Sequence, residues 1–93
     1  MNYIQELAQE IRAAVPEDVV PDDSEYLFLI YAVLARSKGE ATTKEDVHDA
    51  WTAWMLSRGE THESMRPYID LASETRKEDE PFVQAIHQVS ERK

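Results

Sequence analysis

The chain has 93 residues, of which 19 are acidic and 10 are basic, giving a formal net charge of −9. It contains no cysteine, which excludes disulfide scaffolds, thiolate zinc sites and thiol catalysis. Its two isolated glycines exclude a glycine-rich phosphate loop, and its acidic balance disfavours direct binding to DNA or RNA. A chain of this length is expected to form one small domain.

No export signal or membrane span is predicted. The N-terminal sequence MNYIQELAQE has neither the basic region nor the apolar region of a signal peptide. The longest apolar run, Tyr26 to Ala35, has ten residues, about half of what crosses a bilayer as a helix. We therefore expect a cytoplasmic protein without a membrane partner.

Apolar residues recur at intervals of three and four, which predicts helices along the chain. The first predicted helix covers 3–15, with Asn2 as its N-cap and Pro16 ending it. The segment PEDVVPDDS that follows is predicted to be a turn-rich connector. Its Val19 and Val20 are expected to pack against the core.

The second predicted helix begins near Ser24 and stops at Gly39. Its middle, YLFLIYAVLA, is apolar on every side. Such a helix is buried all round, either by its own neighbours or by a second subunit. Because a chain this short has few helices to surround it, we expect a homodimer through Tyr26 to Ala35.

The third predicted helix has the clearest boundaries. Thr42 and Thr43 precede it, with Glu45 or Asp46 three residues on, which is the pattern of a capping box. Gly59 closes the helix. Its core-facing residues are Val47, Ala50, Trp51, Trp54 and Met55.

The C-terminal part is predicted to be a loop followed by a helical region over 73–91. Ser73 or Thr75 can cap that region, and Pro81 either kinks it or starts its second piece with Asp79 as the cap. The apolar residues expected to hold the loop are Met65, Tyr68, Ile69 and Leu71, and those expected to bury the last helix are Phe82, Val83, Ile86 and Val89. No strand is predicted, so the expected fold is an all-α, compact bundle of four to five short helices.

Catalytic and metal-binding patterns are incomplete. Glu45 and His48 have the Glu-x-x-His spacing of di-iron bundles, but such bundles need a second copy and two further glutamates. No serine lies in a Gly-x-Ser-x-Gly elbow. We expect neither an enzyme nor a metal or other cofactor.

A polar and aromatic cluster over 47–79 is the remaining candidate site. Two interpretations are open. Either His48 and His62 make structural hydrogen bonds that hold the loop to the third helix, while Asp49 favours the helix N-terminus, or the cluster lines a groove for a ligand. The residues proposed for ligand binding are His48, Asp49, Trp51, His62, Arg66, Tyr68 and Arg76.

The order of residues in the C-terminal half forms a wider pattern: VHDAW, Arg58, Gly59, His62, Met65, Pro67, Tyr68, Leu71, Arg76 and Asp79. This order resembles the RyR domain, the repeat first named in ryanodine receptors, over residues 44–89. Family members usually have a longer stretch before the histidine, where here only Glu60 and Thr61 stand, and Glu63 replaces their proline. The chain is thus similar to small stand-alone RyR-like proteins of bacteria and phages, with an N-terminal helical pair over 1–43 and an RyR-like region over 44–93.

The resemblance implies a helical module that binds a ligand and does not catalyse a reaction. On this reading the ligand is of nucleotide type or otherwise anionic, with Arg66, Arg76 and Lys77 as its cationic contacts. The alternative hypothesis is an acidic inhibitor or adaptor that engages a basic partner protein. Its carboxylates would come from the acidic N-terminal segment, namely Glu17, Asp18, Asp22 and Asp23.

Overall fold

The computed structural model describes residues 1–92, and these form five α-helices joined by turns and short 3-10 segments. The α-helices are α1 (Tyr3–Ala14), α2 (Glu25–Ser37), α3 (Lys44–Ser57), α4 (Ser73–Arg76) and α5 (Glu80–Glu91). No strand occurs within this described part, so the predicted all-α, compact bundle of short helices is confirmed. None of its helices is long and apolar enough to cross a membrane.

The N-terminus of α1 is closed as the sequence predicts. The Asn2 side chain accepts a hydrogen bond from the Gln5 amide, and the Asn2 amide donates to Gln5 Oε1, both at 2.9 Å. The helix ends at Ala14, before Pro16. In the connector that follows, Val20 packs against the core as predicted, whereas Val19 is 39% exposed.

Helix α2 lies at the centre and contacts α1, α3 and α5. Ser24 precedes it, but the Ser24 hydroxyl donates to the Pro21 carbonyl at 2.7 Å and does not cap the helix. The helices of the single chain do not surround α2 on every side, because Tyr26 and Val33 are 55% and 54% exposed, and burial of that face by a second subunit stays a prediction. The largest fully buried side chains belong to α2 and to the helices that pack on it: Ile11, Leu27, Phe28, Tyr31, Val47, Ile86 and Val89.

Helix α3 has the predicted capping box, with Thr43 and Asp46 as its members. The Asp46 amide donates to Thr43 Oγ1 at 3.2 Å, the Thr43 amide donates to Asp46 Oδ2 at 2.9 Å, and Lys38 Nζ lies 2.8 Å from the same carboxylate oxygen. Burial alone would raise the pKa of Asp46, but the hydrogen bonds from Lys38 and Thr43 outweigh it and hold the pKa below its usual value. Gly59, with φ of +71°, closes the helix as predicted.

The last helical region is broken before Pro81, which lies in the first turn of α5. The predicted cap of α4 is wrong, because Ala72 and neither Ser73 nor Thr75 occupies its N-cap position. Asp79 occupies the N-cap position of α5 as predicted, although its side chain makes no capping hydrogen bond to that helix. In the preceding loop Leu71 is buried as predicted, whereas Ile69 is 76% exposed. On α5, Val83, Ile86 and Val89 are buried as predicted, and Phe82 is partly buried and packs against the core.

Candidate functional site

A cleft of about 610 Å³ lies between α3, the loop after it and the segment that leads into α5. Helix α2 forms its floor, and the connector after α1 forms one end. Three of the residues proposed from the sequence line it: His48, Trp51 and His62. The other lining residues are Val19, Pro21, Leu27, Tyr31, Ser64, Glu74, Thr75, Lys77, Glu78, Asp79, Pro81 and Phe82.

His48 is a buried side chain that fixes the wall of the cleft. Its Nε2 lies 2.7 Å from the Arg66 carbonyl oxygen. Because a carbonyl only accepts, Nε2 carries the proton and donates it to Arg66. The ring is also stacked on Trp51, with centroids 5.7 Å apart and an interplanar angle of 26°. The interpretation that His48 holds the loop to α3 is confirmed.

His62 is the second imidazole in contact with Trp51. Its ring meets the indole edge to face, with centroids 5.6 Å apart at 85°. Its Nδ1 accepts a hydrogen bond of 3.0 Å from the Ser64 amide, so its hydrogen bond lies within the loop and does not reach α3. Trp51 therefore contacts two imidazoles, and it remains partly exposed in the cleft.

Asp79 is the carboxyl group of the cleft that the sequence interpretation assigned to helix capping. Partial burial raises its pKa to about 6; neighbouring Glu78 adds to the rise, while His48 and Lys44 oppose it. Burial, and then the charge of Asp79, raise the pKa of the Tyr31 hydroxyl on the cleft floor. No local pattern marks Asp79 as a cleft residue, because the cleft is assembled from separate helices.

Four residues proposed from the sequence do not line the cleft. Asp49 is exposed on α3, and exposed Arg66 donates through Nε to the Glu63 carbonyl at 3.0 Å. The Arg76 guanidinium lies over the Tyr68 ring at 5.2 Å and donates to a backbone carbonyl. The Tyr68 ring lies beside that of His48, with centroids 6.2 Å apart, so this second cluster adjoins the cleft through His48.

Trp54 does not offer a stacking surface in the cleft. It is 4% exposed, and the Arg58 guanidinium lies 4.5 Å from its ring centroid. Its place in the core matches its position on the apolar face of α3. Among the two tryptophans of the chain, Trp51 is the one that lines the cleft.

The charged side chains of the cleft are mainly acidic. Glu74, Glu78 and Asp79 line it, against Lys77 as the lysine in its lining. Within residues 1–92 no group of three or more histidine, aspartate or glutamate side chains is placed to hold a metal ion. The charges therefore favour a positively charged group in the cleft over an anion.

Comparison with known proteins gives one match. Residues 2–91 match the family model described as Domain of unknown function (DUF7701). No curated protein and no solved structure matches the chain. Because the model spans nearly the whole sequence, the chain belongs to the DUF7701 family, and the resemblance to the RyR domain stays a prediction.

Proposed function

We propose that this DUF7701 protein is a non-enzymatic binding module that holds a small organic ligand in the cleft between α3 and the start of α5. The observation that carries the proposal is the combination of a half-buried indole, Trp51, with a partly buried carboxyl group, Asp79, in one cleft. Ligand sites in proteins typically join apolar and aromatic walls with a few polar groups that fix orientation.

The histidines of the cleft support binding over catalysis. His48 donates its Nε2 proton to the backbone of the loop, and His62 accepts from a loop amide. Both imidazoles thus stabilise the loop that packs beside Trp51. One nitrogen of each ring is thus engaged in a structural hydrogen bond and is not available as a general base.

The test is thermal unfolding against a panel of nucleotides, nucleosides, aromatic amines and aromatic acids. A ligand at 100 times its dissociation constant stabilises by about 2.7 kcal/mol, and each kcal/mol moves the midpoint by about 4–8 °C in a domain of this size. We expect at least one compound to raise the midpoint of the wild type. Trp51→Leu, which keeps an apolar side chain but removes the indole face, should lose that shift.

The matched control is Leu56→Ala, on the solvent side of the same helix, where the side chain is 64% exposed. It should keep the full ligand-induced shift. A panel that moves no midpoint at millimolar concentrations would overturn the proposal, and so would a shift of equal size in Trp51→Leu.

A second candidate function, an acidic adaptor for a basic partner, has support elsewhere on the surface. Glu17, Asp22 and Asp23 line a groove of about 750 Å³ between α1, the connector and α2, with Val20 and Phe28 among its apolar residues. Binding of a lysine-rich peptide that weakens strongly with salt, and that fails when these carboxylates are changed to amides, would support it. Salt-independent binding would count against it.

A further inference from the structure

The floor of the cleft carries a polar group that the fold does not use. Tyr31 is 1% exposed and lines the cleft, yet no hydrogen bond joins its hydroxyl to another residue within 1–92. Its ring is held by Phe28 edge to face, with centroids 5.4 Å apart, and by Phe82 at 5.6 Å. A hydroxyl at the base of a cleft is free to form a hydrogen bond with a ligand that enters it.

The carboxyl group of Asp79 lines the same cleft as Tyr31, and its charge adds to the rise in the pKa of the phenol that burial causes. The hydroxyl oxygen of Tyr31 can accept a hydrogen bond, and an ionised carboxylate accepts only. A group bound to the carboxylate must therefore donate, and the Tyr31 oxygen can accept from the same group. A positive charge on that group is favoured by Glu74 and Glu78 in the same lining.

The walls on either side of these acceptors are aromatic. Trp51 and His62 meet at 5.6 Å on the loop side, and Phe82 closes the side of α5. Aromatic faces attract both apolar rings and cations. The lining contains three carboxylates and one lysine, Lys77. The cleft thus complements a molecule with a planar apolar body and a cationic donor group.

We propose that the ligand of this cleft is an aromatic amine, whose ammonium group binds between Asp79 and the Tyr31 hydroxyl while its ring lies against Trp51. This inference rests on the proposed function and specifies the ligand class of the same site. A nucleotide-type anion would have to place its phosphate beside Glu74, Glu78 and Asp79, which repel it.

The experiment uses three probes that share an indole ring and differ in charge: tryptamine, the neutral alcohol tryptophol, and indole-3-acetate. Affinities are measured at pH 8 by amide chemical-shift titration of the full chain. We expect tryptamine to bind at least tenfold more tightly than tryptophol, and indole-3-acetate to bind least. In Asp79→Asn the affinity for tryptamine should fall to that for tryptophol.

The matched control is Asp49→Asn, an exposed carboxyl on α3 outside the cleft. It changes the net charge by the same amount and should leave the preference intact. Tyr31→Phe keeps the ring packing and should weaken tryptamine severalfold. Because Asp79→Asn removes a partly buried charge, it is expected to fold at least as well as the wild type.

Equal affinities for tryptamine and tryptophol, tighter binding of indole-3-acetate, or an unchanged preference in Asp79→Asn would overturn the amine assignment. If tryptophol or indole-3-acetate then binds in a way that Trp51→Leu abolishes, the binding module stands with another ligand class. If no indole binds, the amine assignment is overturned, and the wider panel decides the proposed function separately.

Discussion

Two neighbouring residues on α3, His48 and Asp49, differ sharply in their exposure to solvent. His48 is 3% exposed and bonded to the loop, whereas Asp49 is exposed. His48 lies three residues before Trp51 and so shares its face, while Asp49 is rotated away from both. The helical period alone therefore separates Asp49 from the face that carries the candidate site.

Asp79 gives a prediction at the same scale. Its pKa in the folded chain is about 6, against an ordinary value of 3.8. Because the pKa is raised on folding, the folded state holds the Asp79 proton more tightly than the unfolded state does. The stabilisation of the fold by protonated Asp79 is therefore complete below pH 3.8 and is lost as the pH rises through 6. Asp79→Asn should therefore raise the unfolding free energy at pH 7.5 by ~1 kcal/mol, since the carboxyl is still partly hydrated.

The measurement is thermal unfolding of wild type and Asp79→Asn at pH 4 and pH 7.5. The variant's advantage should be present at pH 7.5 and nearly absent at pH 4. Asp49→Asn is the control for net charge and should show no comparable gain. An equal gain at both pH values would contradict the explanation from burial of the carboxylate.

At the scale of elements, the loop between α3 and α4 is attached by few side chains. His48 holds the Arg66 carbonyl, Arg76 holds the Ile69 carbonyl, and Leu71 is buried. Arg76 also lies over the ring of Tyr68, and its Nε is buried without a hydrogen-bond partner among residues 1–92. Arg76 therefore positions the loop that carries His62.

Replacing Arg76 should show this structural role. We expect Arg76→Ala to lower the unfolding free energy by about 1–2 kcal/mol, because it removes a charged hydrogen bond and a guanidinium–ring contact. Arg76→Lys should recover little, since lysine lacks the planar fork that stacks and donates at once. Urea unfolding measures both variants. Exposed Lys77→Ala serves as control, and a loss as large in that variant would contradict the assignment to Arg76.

At the scale of the molecule, the chain is already compact on its own. Its radius of gyration is 12.5 Å, close to the roughly 12 Å of a folded chain of this length. The face of α2 with Tyr26 and Val33 is nevertheless exposed, although the rest of that helix is in the core. The homodimer through Tyr26 to Ala35 therefore remains a prediction, now restricted to this face.

Sedimentation tests the dimer. We expect the wild type to sediment as a dimer at micromolar concentration, and Val33→Glu to sediment as a monomer because like charges would face each other across the interface. Leu56→Glu, at an exposed apolar residue on α3, should stay dimeric. A wild type that sediments as a monomer at high micromolar concentration would contradict the dimer.

The helices could be predicted from the sequence because their signals are local. The reciprocal pairs Asn2–Gln5 and Thr43–Asp46 lie three residues apart, and each closes a helix start. Residue type alone is a weaker signal: Ser24 occupies the N-cap position of α2, but its hydroxyl donates to the Pro21 carbonyl and does not cap the helix. The location of α5 after the break at Pro81 also follows from a local rule.

The candidate site was only partly predictable, for a physical reason. Trp51, His48 and His62 lie within one short stretch, so a motif connects them. Tyr31 and Asp79 join them through packing of α2 and of the turn before α5, contacts between residues far apart in the chain. Burial changes the chemistry of Asp79, and burial is a property of the assembled helices.

The attachment of the loop after α3 by a few side-chain links has a consequence for how the protein opens. Local unfolding follows regions with few buried apolar contacts, and it occurs without loss of the whole fold. Breaking the hydrogen bond between His48 and the Arg66 carbonyl would let the loop that carries His62 move away from α3, while the packing of α1, α2 and α5 persists. Amides of residues 60–66 should then exchange with deuterium far faster than those of α2, and protection gained there would report an occupied cleft.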